Sequence, residues 1–359
     1  MMNFIFSNHK QNPYNSLPMD NYTSPDTRDN LQDWCDSQAA HHGHLPAIIW
    51  PSFIINAAIN SIIACAAVIG NTLILLALKK ASRVQAASKA LYCSLAVSDL
   101  AVGLFVQPLF VVHLVAGREG NTDMCKLMAI IINVTGVISV GVSLQTLTAI
   151  SVDRVLAIRL KMRYKKVVTV TRKRIVLAIC WCFSTFHAAV IFVSPTFFNL
   201  FQILGIIMCI GVSTVSYIII FRNLRHLQNQ VHNYSPGEEA TRKASFNIKL
   251  YKKTVSTALW VYGSLLVCYL PFMLTMALRM SIEGNATFIG VSWFSVSLLY
   301  MNSALNPILY CWKIQEVRES MKEVARQCCP CFLGESGNTV EVTVGALPIE
   351  VIKSDASEE

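Results

Sequence analysis

The chain has 359 residues with a net charge of +9, and 53% of its residues are hydrophobic against 14% charged. A soluble globular chain carries about 25% charged residues, so this composition cannot cover a water-facing surface and suits a protein whose outside meets lipid. The basic residues stand in short clusters between long apolar runs, which argues for a membrane and against nucleic acid as the partner.

Residues 1–46 are polar and punctuated by Asn, Pro, Ser and Asp, and are expected to form a disordered tail. The start, MMNFIFSNHK, lacks the apolar stretch and cleavage site of a signal peptide, so the first span is expected to act as the insertion signal. Seven apolar stretches follow, near 52–78, 88–114, 124–157, 171–194, 197–222, 248–280 and 286–311, inside a domain placed at 47–312. Each reaches the roughly 20 residues needed to cross a bilayer. Backbone polar groups must be satisfied internally there, so each is read as a helix. The fold class is all-α, a seven-helix membrane bundle. Pro195 is the break that separates the fourth stretch from the fifth.

After the seventh span, Ile314, Val317, Met321 and Val324 recur at helical spacing opposite a charged face, which predicts a short amphipathic surface helix over 313–327. Cys328, Cys329 and Cys331 then open a polar tail, 328–359, at the height where palmitoyl chains would enter lipid. With the N-terminus outside, 25 Lys and Arg fall on the cytoplasmic side and 5 on the other, so the C-terminus is expected inside. Asn21 and Asn285 are then outside sequons open to glycosylation, whereas Asn233 is an inside one.

Ionisable groups inside a membrane are costly, and each is a functional hypothesis. Asp99, in SLAVSDLAVG, is the one acid deep in a span; Asn71, Ser139, Ser143, Asn302, Ser303 and Asn306 are its candidate partners. Hydroxyl, amide and carboxylate oxygens suit a small hard cation; a neutral or water-bridged acid that only packs helices is the other reading. Arg154 follows Asp153 at the inner end of the third span. It either snorkels towards water or pairs with Asp153 in one of two states. Pro271 and Pro307 each remove a backbone hydrogen bond and are expected to kink their spans. Most cysteines lie in apolar runs and read as packed thiols, but Cys35 and Cys125 fall on the oxidising outside and are expected to pair, two free thiols or a bridge between receptors being the other readings.

With GNTLIL, SLAVSDL, DRV, Trp181, Tyr217, CYLPF and NPILY all in order, the chain resembles the rhodopsin-like (class A) G-protein-coupled receptors over about 52–326. VTVTRKRIVLAICW and NSALNPILYCWKIQEVRE look most like adenosine receptors, with melanocortin receptors a second echo. The resemblance implies a plasma-membrane receptor that passes an extracellular signal to heterotrimeric G proteins, with arrestin and receptor kinases as further partners. It implies an allosteric sodium ion held by Asp99, Ser143, Asn302, Ser303 and Asn306, and no other cofactor. It also implies a switch built from Asp153, Arg154, Tyr217, Tyr269, Pro271, Asn306, Pro307 and Tyr310.

The departures from the family pattern bear on ligand and disulfide. Val155 replaces the usual tyrosine of DRY, Cys209 stands in place of the fifth-span proline, and Tyr269 replaces a tryptophan beneath the ligand. Cys125 lies about one turn early, and the loop after the fourth span has no cysteine. Gly136 stands where amine receptors carry an aspartate, Tyr300 where opsins carry the retinal lysine, and Met276 where adenosine receptors carry a purine-binding asparagine. The ligand is therefore unassigned. A transporter or channel is the alternative, but internal repeats and further intramembrane charge are missing. A membrane enzyme would want clustered His, Asp or Glu, and His113 and His187 are isolated.

Overall fold

The computed structural model describes residues 49–80, 86–119, 121–233, 260–278 and 286–313, with 318, 319 and 321. The expected tails 1–46 and 328–359 and nearly all of the expected surface helix lie outside the described residues. Seven helices are long and apolar enough to cross a membrane. Spans 1 and 2 are Ile49–Lys80 and a composite of Ala86–Ala101, a π-helical turn Val102–Val106 and Gln107–Arg118. Spans 3, 4 and 5 are Thr122–Leu160, Val170–Val190 and Pro195–Asn233. Spans 6 and 7 are Trp260–Leu278 and Ala286–Lys313.

Local chemistry sets the helix ends. Asn121 caps span 3 by accepting from the Met124 amide at 3.1 Å, and Thr169 caps span 4 by accepting from the Arg172 amide at 3.3 Å. Span 3 stops at Lys161, whose φ of 42° leaves the right-handed helix. Pro195 is the first residue of span 5, where its missing N–H costs nothing, so the expected break falls there. Span 5 runs on to Asn233, about three turns past the expected end.

Proline also explains a feature that the sequence reading passed over. Pro108 cannot donate to the carbonyl one turn back, and just before it the helix widens into the π turn, with Gln107 donating to Val102. The turn lays Gly103 against span 1, where an added Cβ would stand 3.0–3.1 Å from Val68, Ala64 and Ala67. Gly70 does the same between spans 1 and 7: a Cβ there would lie 2.8 Å from the Pro307 ring. Small residues let helix backbones approach where lipid offers no hydrophobic drive for association.

Apolar and polar surfaces are inverted relative to a soluble fold. Ile54, Ile62, Ile69 and Leu76 line one outward stripe of span 1, and Phe183, Phe186, Phe197 and Phe201 face outward on spans 4 and 5. Asn56, Asn60, Asn71, Ser98, Asp99, Gln107, Thr146, Asn302 and Asn306 are buried inside. Hydrogen bonds then tie neighbouring spans together. Asn60 donates to Ser297 at 2.7 Å, Trp181 to Ser94 at 3.3 Å, Gln145 to Ser184 at 3.0 Å, and Thr275 meets Ser295 at 2.9 Å. Span 3 is the axis, packed against spans 2, 4 and 5.

Candidate functional site

The expected partners of Asp99 come from three spans. Asp99 is fully buried; Ser143 of span 3 donates to one carboxylate oxygen at 2.8 Å and Asn306 of span 7 to the other at 2.7 Å. Ser303 is a further hydroxyl neighbour of the same carboxylate. Asn71 braces the site from span 1, donating to the Ser303 carbonyl at 3.0 Å. Both amide atoms of Asn302 and the amide oxygen of Asn306 are buried with no hydrogen-bond partner. An orphaned buried polar atom costs about 1–3 kcal/mol, so each of these atoms would gain from a further partner. Ser139 is buried on span 3, but no contact joins it to Asp99 among the described residues.

The oxygens here are carboxylate, hydroxyl and amide, the donor set of a hard cation. No cluster of three or more His, Cys, Asp or Glu occurs among the described residues. One carboxylate balances one positive charge, so the residues fit a monovalent ion.

A second group lies at the end of the bundle that carries Arg154. The Arg154 guanidinium donates to the Tyr92 hydroxyl of span 2 at 2.5 Å. Asp153 is buried as well; it pairs with Lys173 of span 4 at 2.8 Å and accepts from Tyr164 at 2.8 Å. The envisaged Asp153–Arg154 ion pair does not form, because successive residues on a helix point in different directions. Span 5 closes the group: Ser151 donates to the Tyr217 hydroxyl at 3.0 Å, and the Tyr217 ring lies 4.8 Å from that of Tyr262 on span 6. Tyr262 also hydrogen-bonds Thr214. Tyr310 is in the last turns of span 7, with its side chain outside the described residues.

Just beyond Asp99 from the Arg154 end, Tyr269 is fully buried, and its hydroxyl donates to the Val140 carbonyl of span 3 at 3.4 Å. Pro271 lies within span 6 and Pro307 within span 7, against Gly70. Towards the Cys125 end, Tyr300 approaches Gly136: a Cβ there would meet the Tyr300 hydroxyl at 3.8 Å. Tyr300 packs edge-on against Phe110, which stacks on His113, whose ring meets the Cys125 carbonyl at 3.1 Å. His113 is a packed side chain. Cys125 is disulfide-bonded, while Cys65, Cys93, Cys180, Cys182, Cys209 and Cys268 are free. Cys35, Asn21, Asn285, Cys328, Cys329 and Cys331 lie outside the described residues.

The sequence reading missed Tyr92, Tyr164 and Lys173. Lys173 stands in the basic run Arg172-Lys173-Arg174, a pattern of solvated charge, yet it is 6% exposed. Its one available signal was register. Lys173 is the fourth residue after Thr169, the span 4 cap, which places it inside the helix rather than in the loop.

Similarity to known proteins agrees with this architecture. The chain is 25% identical over 312 residues to adenosine receptor A3 of Ovis aries, covering 79% of this chain and 93% of that one. It is 24% identical over 301 residues to adenosine receptor A2a of Homo sapiens, covering 74% and 70%. Against adenosine receptor A2b of Rattus norvegicus it is 28% identical over 220 residues, covering 61% and 56%. The model of the rhodopsin family of seven-transmembrane receptors matches residues 70–199 and 193–310. With seven spans in order, a buried acid held across spans 2, 3 and 7, and Arg154 at the end of span 3, the chain belongs to the rhodopsin family of seven-transmembrane receptors.

Proposed function

We propose that this receptor sits in the plasma membrane with its N-terminus outside, and that the Arg154 end faces heterotrimeric G proteins in the cytoplasm. The observation that carries the reading is the pair Arg154 and Tyr217. They stand at one end of the bundle, each hydrogen-bonded to a neutral hydroxyl, Tyr92 and Ser151. A hydroxyl brings no counter-charge to hold its partner, so both side chains can re-pair when span 6 moves and a G-protein helix enters. Pro271 and Pro307 would supply bends about which spans 6 and 7 pivot. Arrestin and receptor kinases would use the same end.

At Asp99, Ser143, Asn302, Ser303 and Asn306, a sodium ion would supply the positive charge that the carboxylate lacks. Its release would couple the middle of the bundle to the Arg154 end. The adenosine of the related receptors is not carried over, because Met276 stands in place of their purine-binding asparagine. The partner proposed for Cys125 is Cys35, which would pin the tail over the outer mouth. Palmitate is proposed on Cys328, Cys329 and Cys331, and glycan on Asn21 and Asn285.

The test is ligand-screened nucleotide exchange on purified G proteins in membranes holding this chain. Arg154→Ala should abolish exchange while surface expression persists; exchange that survives the change removes Arg154 from coupling. Glycan on Asn233 would overturn the orientation.

A further inference from the structure

We infer that Tyr92 is a positioning residue for Arg154: its phenol, rather than the adjacent acid, holds the guanidinium in the resting bundle. The inference rests on the reading of Arg154 as the coupling residue. The geometry is set by helix register. Asp153 and Arg154 are consecutive, so their side chains leave span 3 towards different neighbours. Asp153 turns to span 4, where Lys173 lies 2.8 Å from the carboxylate and 3.4 Å from the Tyr164 hydroxyl. The same carboxylate oxygen accepts from Tyr164, and the Lys173 ammonium lies 5.9 Å from the centre of the Tyr164 ring. The hydrogen bond and the ion pair of the acid thus both go to Tyr164 and Lys173, through one carboxylate oxygen. Arg154 turns the other way and reaches the hydroxyl of Tyr92.

Tyr92 is well placed to hold it. Its side chain is 8% exposed and lies in the core cluster with Leu91, Leu95 and Leu147, so the phenol is fixed by packing. Its hydroxyl is a neutral acceptor for a cation, a bond strong enough to bias a side chain and weak enough to release it. Tyr217, the other candidate for that guanidinium, is meanwhile occupied by Ser151. Spans 2 and 5 therefore compete for one arginine, and Tyr92 sets the resting side of that competition.

The experiment uses the full chain in phosphatidylcholine–phosphatidylserine nanodiscs with purified heterotrimers of each Gα class, and reads nucleotide exchange without ligand. Tyr92→Phe keeps the ring and deletes the acceptor. It should raise exchange about tenfold, the effect of losing one charge-assisted hydrogen bond. The rise should persist by the same factor in an Asp153→Asn background and vanish in an Arg154→Ala background. Three results would overturn the proposal. Tyr92→Phe could match wild type, its rise could survive without Arg154, or its rise could be lost once Asp153 is neutralised. Exchange that Arg154→Ala abolishes but Tyr92→Phe leaves unmoved removes Tyr92 and keeps the coupling reading. Silence of every variant with every heterotrimer removes both. Monodispersity and an unchanged melting temperature show that the variant folds; Tyr92→Leu, with the same expected rise, replaces it if the phenylalanine form is not recovered.

Discussion

Among the described residues the bundle buries two acids and treats them in opposite ways. Asp153 sits against a lysine, with a tyrosine hydroxyl on the same oxygen. Asp99 is held by Ser143 and Asn306, which are neutral, with unpartnered amide atoms of Asn302 and Asn306 in the same stretch of span 7. The first acid has its counter-charge built into the protein. The second has donors and, among the described residues, no counter-charge, in a region where an isolated charge is expensive. A buried acid with a fixed cation is a joint between helices. A buried acid without one could take a positive charge from outside the chain, as proposed for Asp99, and its occupancy would then vary with the state of the protein.

The largest effect should come from breaking the compensated pair. Lys173→Met leaves Asp153 buried without its ion-pair partner, and should cost about 3–5 kcal/mol. Thermal unfolding of the purified receptor should then fall by roughly 10 °C or more. A melting temperature close to wild type would mean that Asp153 does not depend on Lys173. Next in size is the backbone contact beside the uncompensated acid. Gly70→Ala places a Cβ 2.8 Å from the rigid Pro307 ring, and should destabilise by about 1–3 kcal/mol. Unchanged stability would show that spans 1 and 7 can separate freely at that point.

Ser143→Ala tests the neutral support of Asp99 and removes one of its two closest donors. Its expected cost is about 1–2 kcal/mol, again read as a melting temperature. Smallest in stability, and sharpest for the comparison, is Asp99→Asn. In sodium-free buffer it should change stability by less than about 1 kcal/mol, because no protein cation is stranded. Wild type should gain thermal stability as sodium replaces N-methylglucamine, and the variant should not. Equal sodium responses in the two proteins would make Asp99 a packing residue and erase the contrast with Asp153.

Much of this was legible in the sequence because a membrane imposes simple rules. The length of each apolar stretch determined the spans, since lipid leaves the backbone only its own hydrogen bonds. Pro195 marked the start of span 5, and the polarity of Ser143 and Asn306 marked them as partners of Asp99. The π turn before Pro108 escaped notice, because apolar spacing does not register one extra residue in a helical turn. Lys173 looked like solvated loop charge until span 4 carried it inward to Asp153. Adjacency in the chain suggested an Asp153–Arg154 pair, but helix rotation sends the two side chains to different spans. The sequence by itself determined which residues lie in the membrane and which of them are polar, because those depend on local composition. Only the tertiary structure decided which polar groups meet, because partners such as Arg154 and Tyr92, separated by 62 positions, are brought together by helix rotation and packing, which no stretch of sequence records.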